Sequence, residues 1–220
     1  MPRSKREKEV SLTKVKKKTR ATKETLVDEV RHSVDTYDNV IVFTIENLRS
    51  KKFIQVRQHF KATSRFFLGK NNVMAVALGR SESDEYAKKL HKVSQVLKGQ
   101  CGLMFTNESV KEVRRQLDEM KEADYARAGD IAPESIELPE GPLPQFAFSM
   151  EPQLRKLGMP SKLDKGAVAL YQSFEVCREG EPITVDQAKI LKLLEMKLSY
   201  FHIKIKGHWD KKHGYKALDN

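Results

Sequence analysis

The segment Gly69-Lys70-Asn71-Asn72 is the part of this sequence closest to a phosphate-binding loop. A nucleotide-binding P-loop needs a glycine five residues before its Gly-Lys pair and a serine or threonine directly after the lysine. Ser64 occupies the first of these positions and Asn71 occupies the second, so a flexible loop and a Mg²⁺ ligand are both missing. The four residues between Ser64 and Gly69, Arg-Phe-Phe-Leu, are bulky, unlike those of a flexible phosphate-binding loop. Nucleotide hydrolysis is therefore disfavoured, and no cofactor is expected.

Two interpretations of the same turn stay open: it binds an RNA phosphate, or it is a plain surface loop. Apolar spacing over residues 73–78 predicts a helix that begins near Asn71 and is capped by Asn71 or Asn72. Lys70 would then lie beside a helix N-terminus, where backbone N–H groups favour an anion. A glycine before it would allow a sharp turn. These residues alone favour a solvated lysine, with a phosphate contact as the alternative.

No other group of residues indicates catalysis or metal binding. Cys101 and Cys177 lie far apart, no CxxC motif occurs, and the six histidines are scattered. The sequence has neither a serine in a nucleophile elbow nor a distinctive pair of carboxylates. We expect two reduced thiols, no metal site and no enzymatic activity.

Basic residues are concentrated at the N-terminus. The 220 residues have a net charge of +11, of which residues 1–23, with ten Lys or Arg and two Glu, carry +8. Such a segment is typical of phosphate contact or nuclear import, and a solvated arm is the alternative. No stretch reaches the roughly 18 apolar residues of a membrane span, and the N-terminus lacks the apolar core of a signal peptide.

Apolar periodicity indicates an α/β domain. Strands are expected at 39–45, near 64–68 and at 101–106, and helices at about 22–36, 50–60, 71–78, 84–97 and from Asn107 onward. Strands that alternate with helices predict a mixed sheet covered by helices.

Proline content marks a second domain, because seven of the eight prolines lie between Pro133 and Pro182. A helix with Thr184 as its cap and an alternating strand at 200–206 follow. A lone strand needs a partner, so we expect this strand to return to the first sheet. The predicted organisation is a basic flexible tail at 1–21, an α/β domain at 22–129, a smaller β-rich inserted domain at 130–183, a returning helix and strand at 184–207, and a polar tail at 208–220.

Three segments carry a family resemblance: FLGKNNVMAVALGRSESDEY, GLMFT and ARAGDIAPESIELPEGP. Their order resembles the stalk-base protein of the large ribosomal subunit, the acidic P-zero family, over about residues 22–206. The first segment, the opening MPRSKREKEVSLTKVKKK and the segment SMEPQLRKLGMP resemble more closely a paralogous family of ribosome-assembly factors called mRNA turnover protein four.

The resemblance implies an rRNA-binding placeholder. Such a protein binds large-subunit rRNA at the stalk base, or GTPase-associated region, of the precursor large (pre-60S) subunit. It holds this site until the ribosomal stalk-base paralogue replaces it, with the help of a release phosphatase. The resemblance also implies that the protein lies beside neighbouring stalk-base ribosomal proteins and is a monomer on the particle. The implied location is the nucleus and nucleolus, with some cytoplasmic shuttling and no membrane association.

Seven residues are candidate RNA contacts, and each is equally well explained as ordinary surface charge. They are Lys70 and Asn71 at the turn, Arg49, Lys51 and Lys52 at the start of the second helix, Arg57 on its exposed face, and Arg65. Ribosomal stalk-base proteins usually carry basic residues on the helix after the turn, where this sequence reads Val-Met-Ala-Val-Ala.

Two other functions are compatible with the sequence. One is the structural stalk-base protein itself. The argument against it is that the sequence stops at Asn220 without the segments that bind stalk dimers and recruit translation factors. The other is an RNA-decay protein or enzyme, which no catalytic group of residues supports.

Overall fold

A computed structural model describes residues 20–217 of the chain. The predicted tail at 1–21 therefore lies almost wholly outside the described residues, and its last two residues belong to the first helix. The α-helices are α1 (Arg20–Thr36), α2 (Ser50–His59), α3 (Asn71–Leu78), α4 (His91–Val96), α5 (Val110–Glu119), α6 (Glu151–Lys156) and α7 (Val185–Leu193), with a short 3-10 helix at Phe148–Met150 before α6.

The strands fall into one large sheet and two small ones. They are β1 (Asn39–Glu46), β2 (Ser64–Phe67), β3 (Cys101–Thr106), β4 (Glu122–Asp124), β5 (Ile136–Leu138), β6 (Gly141–Pro142), β7 (Ser161–Asp164), β8 (Ala167–Leu170), β9 (Phe174–Cys177), β10 (Ser199–Asp210) and β11 (Gly214–Ala217). The large sheet has the order β11-β10-β1-β3-β2, and β4 pairs with the beginning of β10.

The α/β class and the helix-covered sheet are confirmed, but the large sheet is not mixed. Every strand pair in the described part of this sheet is antiparallel. The two strands connected by α2, β1 and β2, run in the same direction, but β3 lies between them and pairs with both. Alternation of strands and helices along the chain therefore does not make adjacent strands parallel here.

Helices cover both faces of this sheet. On one face, Val40 and Val42 of β1 pack in a buried cluster with residues of α1, α3 and α4. On the other face, Ile41 and Phe43 pack with residues of α2 and α5. Successive side chains of a strand point to opposite faces, so a strand buried on both faces has a continuous apolar run.

The last predicted strand is longer than its apolar pattern indicates. Phe201, Ile203 and Ile205 are buried on the α2/α5 face, but the register with β1 shifts between Val42 and Phe43. Beyond this bulge Trp209 lies on the opposite face, where its Nε1 donates to the Lys88 carbonyl at 2.9 Å. The bulge changes the phase of the alternation. The prediction of a polar tail from 208 is wrong for residues 208–217, which form the end of β10 and β11.

The helix predicted at 84–97 is much shorter. Only His91–Val96 is helical, because the preceding residues form turns and Lys89 has a left-handed φ of 64°. Leu90 and Val93 are buried, whereas Tyr86 is exposed and donates a hydrogen bond to Asp35.

A smaller β-rich unit lies between β4 and β10 in the chain. It contains the three-stranded sheet β6-β8-β7, the pair β5-β9, α6 and α7, and it has its own buried cluster. The predicted Thr184 cap is present, with Gln187 completing a capping box. However, Ile190 and Leu191 of α7 are buried in the core of this unit rather than against the large sheet, so the assignment of that helix to the first domain is wrong.

The insertion leaves and re-enters the sheet at one place, because Asp124 of β4 is paired with Ser199 of β10. We predict that residues 125–198 can be replaced by a short turn such as Asn-Gly, which joins antiparallel strands directly. Cooperative unfolding, followed by circular dichroism, should persist. Replacement of only 131–182 serves as the comparison. It should expose Ile190 and Leu191 and reduce solubility, and equal behaviour of both chains would contradict the assignment of α7 to the insertion.

Candidate nucleic-acid interface

The edge of the large sheet at β2 is open within the described residues, since β2 pairs only with β3. Beside this edge is a groove of about 520 Å³, here called the β2 groove. It lies between α1 and the α2–β2 segment and is lined by Leu26, Glu29, Tyr37, Phe53, Arg57, Lys61, Ser64, Arg65, Phe66, Phe67 and Leu68.

Three exposed cations border the β2 groove: Arg57, Lys61 and Arg65. Arg57 and Lys61 have no ion-pair partner in residues 20–217, so their charges are available to a ligand. Arg65 instead donates to the Glu29 carboxylate at 3.1 Å, and its guanidinium lies 5.1 Å from the centre of the Phe67 ring. The groove therefore combines aromatic surface with positive charge, the two properties that RNA-binding surfaces use.

A neighbouring hollow continues this surface to the Gly-Lys-Asn-Asn turn. It shares Leu26, Glu29 and Leu68 with the β2 groove, and it adds the turn residues and the beginning of α1. Lys70 is exposed there and forms no ion pair within the described residues, although Glu29 lines the same hollow. Lys23 of α1 lines the same hollow. The structure thus brings Arg57, Arg65 and Lys70 to one continuous surface.

The turn differs from its prediction in how the helix begins. The N-cap of α3 is Lys70 itself, without a side-chain hydrogen bond, so neither asparagine caps the helix. Asn71 is half-buried, and its side-chain amide donates to the Gly99 carbonyl at 2.8 Å. Asn71 therefore ties the turn to the loop before β3, which positions Lys70.

Gly69 is favoured by packing rather than by its backbone angles. A Cβ atom at this position would lie 2.8 Å from Cδ2 of Leu26, so the absence of a side chain lets α1 approach the turn closely. The sequence prediction of a sharp, glycine-dependent turn thus identified the right residue for a different reason. This close approach forms the hollow beside Lys70.

Arg49 and Lys52 occupy a different place, at the neck of the insertion. Arg49 donates to the Asp124 carboxylate at 2.9 Å and to the Tyr125 carbonyl at 2.8 Å. Lys52 lies 3.5 Å from the same carboxylate. Burial opposes ionisation of Asp124, but the Tyr125 N–H and the two cations outweigh it, and the pKa of Asp124 lies below its usual value.

Lys51 is exposed near this neck, in a second groove between α2 and α7 that Lys189 and Lys192 also line. The seven candidate residues thus separate into two groups. Arg57, Arg65 and Lys70 lie at the β2 edge, with Asn71 next to Lys70 in the turn, whereas the three residues at the start of α2 border the insertion.

Sequence reasoning missed two basic residues at the β2 edge, Lys23 and Lys61. Lys61 lies beyond the end of α2, in the turn that leads to β2, so the helical spacing that selected Arg57 did not include it. Lys23 belongs to α1, and its distance in sequence from the turn gave no indication that both line one hollow.

Comparisons with known proteins match both parts of the chain. A family model described as "Ribosomal protein L10" matches residues 18–122. A second model, which describes the insertion domain of the same family in the 60S ribosomal subunit, matches residues 126–196. The class of protein is thus an L10 protein with an inserted domain.

Individual relatives distinguish assembly factors from ribosomal proteins within this class. "Ribosome assembly factor mrt4" of Dictyostelium discoideum is 39% identical over 96% of this chain and 94% of its own length. The protein of the same name from Saccharomyces cerevisiae is 34% identical over 96% of this chain and 94% of its own length. "Large ribosomal subunit protein uL10" of Methanopyrus kandleri is 29% identical over 77% of this chain and 47% of its own length.

The chain belongs to the Mrt4 family of ribosome assembly factors, a branch related to the L10 ribosomal proteins. The family resemblance inferred from the sequence is therefore confirmed. Residues 20–217 contain no group of His, Cys, Asp or Glu side chains arranged to hold a metal ion. None of their helices combines the length and apolar character needed to cross a bilayer.

Proposed function

We propose that this protein is an assembly factor of the large ribosomal subunit that binds rRNA at the stalk base. The observation that carries the proposal is the continuous basic surface formed by Arg57, Lys61 and Arg65 at the β2 groove and Lys70 at the adjoining turn. Membership in the Mrt4 family supports the assembly role.

Phosphate contacts would position the protein on folded RNA. Lysine and arginine side chains bind backbone phosphates without reading sequence, and folded RNA is recognised largely by its shape. Lys70 and Arg57 are suited to this role because no acidic side chain neutralises them within residues 20–217. Basic residues of the segment before α1 would add further phosphate contacts.

The proposed mechanism is occupancy rather than catalysis. The protein holds the stalk-base site of the pre-60S particle in the nucleus and nucleolus, beside the neighbouring stalk-base ribosomal proteins, and shuttles in part to the cytoplasm. It leaves when the ribosomal paralogue, aided by a release phosphatase, takes the same RNA. The relation to the L10 proteins supports this exchange, because paralogues that share a fold are candidates to present similar surfaces to the same RNA.

The alternative is a structural stalk-base protein of mature ribosomes. Identity favours the assembly factor, since the Mrt4 relatives reach 39% and the uL10 relatives 29%.

Sedimentation of the tagged protein separates these two functions. We expect it to co-migrate with precursor large subunits from nuclear extracts and to be absent from polysomes. A matched measurement on the ribosomal paralogue should show it in polysomes. Stable presence of this protein in polysomes would favour the structural role, and absence from both fractions would contradict the proposal.

A further inference from the structure

Glu29 is an unexpected residue in the basic β2 groove. Its carboxylate is about half exposed and lines both the β2 groove and the neighbouring hollow that contains Lys70. A carboxylate repels phosphate, and at 4 Å two like charges oppose each other by about 1 kcal/mol even in bulk water. A groove that served only the RNA backbone would gain affinity without it.

The Arg65 bond fixes Glu29 but does not saturate it. Arg65 Nη2 donates to one carboxylate oxygen, Oε2, at 3.1 Å. The other oxygen, Oε1, has no hydrogen-bond donor among residues 20–217. An ionised carboxylate offers about four acceptor positions on its two oxygens. The Glu29 carboxylate therefore contacts Arg65 while most of its acceptor positions are unused within the described residues.

Besides Glu29, Ser64 and the three cations, the groove is lined by aromatic and aliphatic side chains. Tyr37 and Phe66 are half-buried where they line it, and Leu68 is 48% exposed at its mouth. Unpaired bases of folded RNA are recognised by contact with aromatic side chains together with hydrogen bonds to their Watson–Crick edges. The groove volume of about 520 Å³ accommodates a single base.

We propose that the β2 groove binds one unpaired guanine of the RNA, with Glu29 accepting hydrogen bonds from its N1–H and N2–H groups. Guanine presents these two donors side by side, which matches the two oxygens of a carboxylate. Arg57 and Lys61 at the rim then contact the phosphates that flank the base. This inference rests on the proposed function and adds a sequence-reading contact to it.

The test is the substitution Glu29→Gln in the full chain, measured by equilibrium binding to a stalk-base rRNA fragment. We expect about a tenfold loss of affinity, the size of one good side-chain contact to a base, with the salt dependence unchanged because no phosphate contact is lost. Simple repulsion predicts the opposite sign, since removal of a negative charge from a basic groove strengthens phosphate binding. Glu24→Gln, on the same helix but outside the groove, is the matched control.

The RNA supplies the second half of the test. Replacement of each unpaired guanine in turn by inosine, which lacks the N2 amino group, should weaken wild-type binding at one position and leave Glu29→Gln almost unaffected there. Unchanged or tighter binding by Glu29→Gln, or equal sensitivity of both proteins to every inosine, would overturn the inference. The inference would also be overturned if Glu29→Gln had no effect in a chain that lacks residues 1–19. That result would mean that Glu29 acts through the chain's own N-terminal segment and not through a base. Failure of the wild-type protein to bind the fragment would contradict the proposed function instead.

Discussion

A chain that ends at Leu198 is expected to lose the cooperative unfolding of the large sheet. Such a chain lacks β10, which pairs with the whole length of β1 and also with β4 and β11. It loses the buried side chains Phe201, Ile203 and Ile205. Each fully buried side chain of this kind contributes about 1.5–3 kcal/mol, and the total is comparable to the roughly 5–15 kcal/mol that stabilises a typical domain.

Thermal unfolding followed by circular dichroism measures this effect. A chain that ends at Asp210 is the control, because it keeps β10 and removes only the edge strand β11. We expect this control to unfold cooperatively at a lower temperature than the full chain. A cooperative transition in the shorter chain at the wild-type midpoint would show that β10 is not part of the sheet's stable core.

The double substitution Arg57→Ala and Lys70→Ala is expected to weaken binding to the stalk-base RNA fragment by about a hundredfold or more. A hydrogen bond to a charged group contributes about 1.5–3 kcal/mol, and about 1.4 kcal/mol corresponds to a factor of ten. Lys70→Ala alone should cost at least about tenfold. Loss of two phosphate contacts should also reduce the slope of log affinity against log salt by about 1.5. Fluorescence anisotropy at several salt concentrations measures both quantities.

The matched control is the double substitution Lys156→Ala and Lys162→Ala. These lysines are exposed on the insertion, and their removal changes the net charge by the same amount. We expect this variant to bind almost as tightly as the wild type. Equal weakening by the two double variants would mean that overall charge, rather than the surface at β2, determines affinity. Unchanged melting temperatures in both would confirm that the exposed side chains do not support the core.

The sequence predicts the parts of the fold in which one local pattern determines one element. The continuous apolar run of β1 and the Phe53, Val56, Phe60 stripe of α2 have this property, and both elements lie where predicted. The alternation in β10 predicts its first half only, because the bulge reverses the direction in which Trp209 points. A phase change of this kind depends on the partner strand and leaves no local signal.

The candidate site is less predictable because its parts are distant in sequence. Lys70 and Arg57 were identifiable as exposed cations, but their common surface depends on how α1 packs beside β2. The Glu29–Arg65 contact joins residues that no spacing rule connects. Similarly, Arg49 is indistinguishable from Arg57 by residue type, and only the position of Asp124 shows that it secures the insertion.

The pairing of β1 with β10 has a consequence for synthesis of the protein on the ribosome. Asn39 is paired with Asp210, so β1 leaves the exit tunnel long before its partner is translated. Until then β1 has β3 on one side and an unpaired edge on the other. The inserted unit has its own buried core, and its whole length emerges during this interval. Open edges of incomplete sheets are prone to intermolecular pairing, so the free edge of β1 is exposed to such pairing until β10 has left the exit tunnel.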